Sequence, residues 1–350
     1  MKKLYWFLGL IPIAIAAELM HQPAIVIFAL SALAIVPLSA LLGTATEELG
    51  AHAGPTVGGL LNATLGNLAE LIIAGLALRA GLVDLVKASI TGSVIGNLLL
   101  VLGAAQLAGG LRFQTQRFNR NLAGMSISLL VIATVGLVVP SLFFHAHPDP
   151  TRSATIIVSA WVSGFLILGY FLSLVYSMGT HRAAFGGGGD VASGEAEPEW
   201  SLRKTIVVLI ATAAAIGVMS ELLVGATEEA VKALGLSQVF VGLILVPIIG
   251  NAAEHSSAVM MALKNRMDLA VNIAIGSSIQ VALLIAPLLV LLGVAFGQKM
   301  DLAFSTFEVA AVGIAAAIAT AVVLDAESNW LEGAFLLLVY GILGVAFFFF

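Results

Sequence analysis

Eleven apolar runs, each close to the length of a membrane crossing, follow one another along almost the whole of this 350-residue chain: roughly 4–20, 24–46, 56–79, 86–109, 121–145, 154–178, 204–224, 238–263, 269–294, 303–324 and 330–350. A hydrocarbon layer about 30 Å thick takes about 20 mostly apolar residues per helix. Lipid offers no partner to an open backbone, so spanning segments are helices or closed barrels. The alternating pattern of barrel strands is absent. With 60% hydrophobic and 10% charged residues, the chain has more apolar side chain than a soluble core of this size hides. It reads as an all-α polytopic membrane protein with about 11 transmembrane helices, and little remains for a soluble domain.

The first run follows Met1-Lys2-Lys3 and contains Ala-Ile-Ala-Ala-Glu, so it fits either an accessory helix over 1–22 or a signal peptide with a small-residue cleavage site. Its removal would leave every later span in place. Orientation follows from the positions of Lys and Arg rather than from the net charge of -5. With the N-terminus inside, Lys2, Lys3, Arg112, Arg117, Arg120, Arg182, Arg203, Lys204, Lys264 and Arg266 are cytoplasmic, against only Arg79, Lys87, Arg152, Lys232 and Lys299 outside. The positive-inside rule therefore predicts N-terminus in, C-terminus out. The longest polar stretch, HRAAFGGGGDVASGEAEPEWSLRK, lacks the GK[ST] of a phosphate-cradling loop and reads as an acidic, Gly-rich cytoplasmic linker over 179–203. Zero cysteines exclude disulfides, thiolate metal sites and cysteine nucleophiles.

The chain also repeats itself. At a shift of 184 positions Gly66 falls on Gly250, Asn67 on Asn251, Glu70 on Glu254, Asp84 on Asp268, Gly92 on Gly276 and Ser93 on Ser277, without a gap. Upstream, ATEE at 45–48 recurs at 226–229, shifted by 181. Two copies follow, 23–178 and 204–350, each with five spans. Five is odd, so the copies enter the membrane from opposite sides. Such inverted repeats build many secondary transporters, with the site at the midplane where the repeats meet.

Glu70 and Glu254 are the residues that most need explaining. An ionised carboxylate at the bilayer centre costs about 2.5–3.5 kcal/mol on insertion scales. The cost falls away when the group is protonated or holds a cation, and those are the two loads of an exchanger. Burial favours the neutral form and a bound divalent ion the ionised form, so proton and metal compete for the pair. Asn67 and Asn251 lie three residues before each Glu, on the same helix face. Gly66, Gly250 and Pro247 predict kinked or locally unwound helices that expose carbonyls. In the next span of each copy, Ser93 with Asn97 and Ser277 with Gln280 share a face. Carboxylate, amide, hydroxyl and carbonyl oxygens suit a hard cation that takes six to eight oxygens, namely Ca²⁺. Ser93 and Asn97 are equally suited to bonding helices together, and Gly92, Gly96 and Gly276 to close packing. Glu47 and Glu48, and Glu228 and Glu229 at the opposite face, are expected at span ends as carboxylates that collect cations or form part of a gate.

Other features are blander. His255 beside Glu254 has no second ligand at HExxH spacing and reads as a polar neighbour or minor proton relay. His145 and His147 fall in an external loop, and the terminal Phe run reads as a lipid-facing anchor. No Ser/Lys, paired Asp or HExxH arrangement points to an intramembrane enzyme.

The stretches GNLAELIIAGLALRAGLVDLVKASITGSVIGNLLLVLG and GNAAEHSSAVMMALKNRMDLAVNIAIGSSIQVALLIAP resemble the paired signature regions of the calcium/proton exchanger (CAX) family of the calcium/cation antiporter superfamily. The resemblance covers both copies and the polar linker. It implies eleven membrane helices, Ca²⁺ extrusion driven by proton influx, and alternate exposure of a midplane site containing Glu70 and Glu254. It also implies that Asn67, Asn251, Ser93, Ser277 and Gln280 line that site, while the long spans ending in TEE shift. The sodium/calcium branch usually carries further acidic positions in its site spans, and one Glu per copy argues against sodium coupling. A cation/proton exchanger for Na⁺, K⁺ or Mn²⁺, a Na⁺/Ca²⁺ exchanger and a passive cation channel are the alternatives. The expected partners are Ca²⁺, protons, the lipid bilayer and a second copy of the chain, with no nucleic acid. No resident cofactor is expected, and the short N-terminus favours a prokaryotic cell membrane.

Overall fold

The computed structural model describes residues 4–147, 151–181 and 198–350, and every one of the eleven predicted runs carries helix. Residues 182–197 of the expected linker lie outside the described residues. The short first run is a 3₁₀ turn, Leu4–Gly9, leading into α1 (Leu10–Leu19). Two very long helices follow at matched places in the two copies, α2 (Ala24–Ala53) and α9 (Leu202–Leu234). Next come a broken pair in each copy: α3 (Pro55–Leu65) with α4 (Leu68–Arg79), and the segment Gln238–Gly250 with α12 (Ala252–Leu263). That segment comprises α10 (Gln238–Phe240), a π turn over Val241–Leu245 and α11 (Val246–Gly250).

The third helix of each copy is again matched. α5 (Val83–Ile95) continues through a π turn at Gly96–Val101 into α6 (Leu102–Phe113), and α13 (Met267–Gln280) through a π turn at Val281–Ile285 into α14 (Ala286–Phe296). The copies close with α7 (Arg120–Ala146) and α8 (Ser153–Leu174), and with α15 (Thr306–Val323) and α16 (Trp330–Phe348).

Burial sorts these helices into a centre and a rim. Of the 18-residue apolar stretches within Val83–Phe113 and Met267–Phe296, 72% and 61% of the residues are buried, against 28% and 22% of those within Ser153–Thr180 and Trp330–Phe348. The first two form the core against which the rest pack, and the others present Trp161, Phe165, Phe335 and Leu338 outward, as lipid-facing helices do. Two polar clips tie the copies together away from the middle. At one end, β1 (Thr115–Arg117) pairs antiparallel with β2 (Glu327–Asn329), with Gln116 opposite Ser328. At the other, Asp301, fully buried, receives Lys87 and Arg152.

The expected ends of two spans need correction. Glu47 and Glu48 lie inside α2, which runs on to Ala53, and Glu228 and Glu229 lie inside α9, which runs on to Leu234. Nothing in either TEE segment breaks a helix. The stops come at Gly54 (φ 78°) and Gly235 (φ 66°), whose backbone conformation glycine adopts without steric cost.

A candidate cation site between the two halves

Each broken pair breaks beside its glutamate. Asn67 (φ -98°, ψ 26°) and Asn251 (φ -95°, ψ 11°) leave helical geometry, and the second pair bends by 60° there. Glu70 and Glu254 therefore stand in the first turn of α4 and of α12. Backbone N–H groups at such an end favour negative charge by about 0.3–1 kcal/mol, which offsets part of the cost of a carboxylate at this depth.

The two halves meet here. Glu70 and Glu254 are close enough for their charges to interact. Glu70 also lies against the other half's helix break: a Cβ on Gly250 would come within 3.6 Å of its Cγ. Asn67, 1% exposed, donates its amide to Gln280 Oε1 and accepts from the Ser277 hydroxyl at 3.2 Å. Asn97 donates to Ser277 Oγ at 3.0 Å, and Asn251, also 1% exposed, donates to Ser93 Oγ at 3.3 Å. Every one of these bonds joins the first copy to the second. Among the described residues, three oxygens in this lattice are buried without a protein partner: Asn97 Oδ1, Asn251 Oδ1 and Glu254 Oε2. All three are acceptors. Buried polar atoms are normally satisfied, so a set of orphaned oxygens calls for a cation or a proton.

All eight residues expected at the site thus fall in one connected region. The four TEE carboxylates do not: they sit toward the far ends of α2 and α9. A family model described as sodium/calcium exchanger protein matches residues 23–179 and 204–349. The chain belongs to this family. The Ca(2+)/H(+) antiporter of Aphanothece halophytica is 43% identical to this exchanger over 358 aligned residues, spanning 98% of this chain and 96% of that one. The Ca(2+)/H(+) antiporter ChaA of Bacillus subtilis (strain 168) is 41% identical, spanning 97% and 96%. The structure of native YfkE matches the exchanger with a TM-score of 0.86 at 37% identity, covering 99% of this chain and all of that one. These relatives place the exchanger in the calcium/proton branch of its superfamily.

The exchanger's two halves are alike in sequence order but differ in packing. In the second copy the Gln238–Gly250 segment lies tightly on α5: a Cβ on Gly92 would be 2.0 Å from the Leu243 carbonyl oxygen. In the first copy α3 instead folds back on α2, with Gly58 against the Gly50 carbonyl. Exposure follows the same division. Ile73 is 5% exposed, while its counterpart Ser257 on α12 is exposed. Beside α3, the faces of α12 and α13 that carry Ser257 and Asn272 are left exposed. On the α5 side a narrow cleft still reaches the site, lined by Glu70, Ile73, Ser89, Ser93, Pro247 and Gly250.

Two features of the exchanger leave no signal in its sequence. Glu48 accepts from the backbone N–H of Trp200 at 3.0 Å, and His52 Nε2 donates to the Trp200 carbonyl at 2.8 Å, so the chain entering α9 is bound to the end of α2. Glu47, Glu228 and Glu229 stay exposed. Ser89 reaches the cleft without a repeat partner of its kind, since its counterpart is Ile273.

Proposed function

We propose that this exchanger is a secondary antiporter that exports cytosolic Ca²⁺ in return for H⁺. Glu70 and Glu254 hold Ca²⁺ or protons in turn, and only the loaded forms change the side to which the site opens. The observation that carries this reading is the set of orphaned oxygens, Asn97 Oδ1, Asn251 Oδ1 and Glu254 Oε2, beside two mutually repelling carboxylates. Oxygen-only donors of this kind suit a hard divalent cation. With the cation gone, protonation removes the repulsion and supplies donors to the same acceptors. The exchange named for the relatives is the one this chemistry supports.

Chain organisation fits that role. A first repeat over 23–178 and a second over 204–350, joined by the linker 179–203, put one glutamate at each helix break. The N-terminus lies in the cytoplasm and the C-terminus outside, in keeping with ten basic residues on one face and five on the other. The exposed Glu47 and, on the opposite face, Glu228 and Glu229 concentrate cations near the two mouths. Ca²⁺ and H⁺ are cargo, and the cycle calls on no resident cofactor. The cell membrane of a prokaryote is the setting that the bacterial relatives support.

Isotope uptake tests this directly. In proteoliposomes with an imposed pH gradient, ⁴⁵Ca²⁺ should accumulate uphill and the accumulation should collapse when the gradient is dissipated. Uptake that is unaffected by the gradient, or that Na⁺, K⁺ or Mn²⁺ abolishes at concentrations equal to that of Ca²⁺, would replace the reading with a channel or a broader exchanger.

A further inference from the structure

We infer that Gly276 is the point on α13 where α3 docks when the exchanger opens to its other side. The inference rests on the alternating-access reading above and adds a positioning residue, the glycine immediately before the site residue Ser277.

The two halves correspond position by position. At the shift of 184, Gly92 corresponds to Gly276, Leu243 to Gly59 and Gly242 to Gly58. In the second copy this contact is made: Gly92 admits the Leu243 backbone, and a Cβ on Gly242 would lie 2.8 Å from both the Leu85 carbonyl oxygen and the Ala88 Cβ. In the first copy it is not made. A Cβ on Gly276 would meet only Asn272 Oδ1, at 3.4 Å, and Asn272 is itself exposed. Gly58 and Gly59 are meanwhile engaged elsewhere, against the Gly50 carbonyl and the Met178 side chain.

An inverted repeat that exchanges the conformations of its halves must bring α3 onto α13 as the Gln238–Gly250 segment now lies on α5. Gly276 then takes the place of Gly92, where no side chain fits. So Gly276 is unconstrained in the state described and indispensable in the opposite one. Gly75 is the matching control. A Cβ there meets nothing within 4 Å, and its counterpart in the other half is Val259, so a side chain at this place is accommodated in either state.

The chain has no cysteine, so a Ser257→Cys reporter labelled by an impermeant thiol reagent reads exposure on the α3 side without any transport. In full-length protein, Gly276→Ala should melt like the parent, label at least as fast at Ser257→Cys, and exchange Ca²⁺ about tenfold more slowly or worse. Gly75→Ala should do none of this. Gly59→Leu, which places at 59 the side chain found at 243, should act in the opposite sense and slow labelling. Parental exchange in Gly276→Ala overturns the inference. Should that variant melt well below the parent, unchanged labelling in Gly59→Leu overturns it instead. Failure of the two-carboxylate site is read separately, by Glu70→Gln retaining uphill exchange.

Discussion

Replacing Glu254 by Gln removes one charge and leaves the side chain almost unchanged in size, and its two consequences have opposite signs. Glu254 Oε2 is buried and has no protein partner, so the amide displaces no hydrogen bond at that atom. An ionised carboxylate at this depth costs about 2.5–3.5 kcal/mol. Wherever the empty parent is ionised, the empty variant should therefore be as stable or up to about 3 kcal/mol more stable. Toward Ca²⁺ the same charge is a gain. A single contact to a charged group contributes up to about 3 kcal/mol, which sets the expected loss of affinity at about 100-fold.

Thermal unfolding in detergent against Ca²⁺ concentration measures both terms. At a concentration a hundred times the parent's Kd, ligand binding stabilises the parent by about 2.7 kcal/mol. A variant a hundredfold weaker gains only about 0.4 kcal/mol at that concentration. Expected, then, are an unchanged or higher melting temperature without Ca²⁺ and an almost absent shift with it. A full Ca²⁺ shift in the variant would show that Glu254 is no ligand. A lower melting temperature without Ca²⁺ would show that the carboxylate has a structural partner, and the orphaned oxygen would lose its meaning.

The remaining expectations concern the lattice, the clips and the competing proton. Ser277→Ala removes the hydroxyl that accepts from Asn97 and donates to Asn67; it should cost about 1–3 kcal/mol of stability and weaken Ca²⁺ binding, both read by the same melting assay. Among the described residues, Lys87→Met leaves the buried Asp301 with Arg152 and the Ala303 N–H as donors, and should lower stability by about 3 kcal/mol, with partial recovery in the double variant Lys87→Met/Asp301→Leu. Glu48→Gln keeps an acceptor for Trp200 and should melt like the parent, whereas Glu48→Leu loses the bond and should be about 1–2 kcal/mol less stable. If protons and Ca²⁺ share the two glutamates, lowering the pH on the side from which Ca²⁺ is taken up, with the opposite side held constant, should raise the half-saturating Ca²⁺ concentration in uptake assays.

What the sequence makes legible is whatever both copies spell out. The repeat of Gly-Asn-x-Ala-Glu places a glutamate, an amide and a helix break together, and the structure brings Asn67, Glu70, Asn251 and Glu254 into one region joined through Ser93, Asn97, Ser277 and Gln280. Hydropathy locates the spans but not their ends. Apolar character stops at the membrane surface while helical hydrogen bonding continues to the next breaker, so α2 and α9 run through their TEE segments to Gly54 and Gly235. Nor does composition signal the π turns at Gly96–Val101 and Val281–Ile285, which fit the central helices to the packing around the site. The Trp200 contact with Glu48 and His52 was hidden for a different reason, since it joins residues about 150 positions apart with no repeat to mark them.

The difference between the halves lies beyond any reading of sequence in principle. Gly92 and Gly276 occupy equivalent places, as do Gly242 and Gly58, yet one pair is in contact with the facing helix and the other is not. A chain whose copies carry the same small residues at both interfaces specifies two packings of comparable energy, and any one structure displays only one of them. The asymmetry is thus a property of the state. The near-symmetry of the residues is what lets the same chain reach the other state. This is why a glycine that touches almost nothing, Gly276, carries more information about the cycle than the many glycines that are tightly packed.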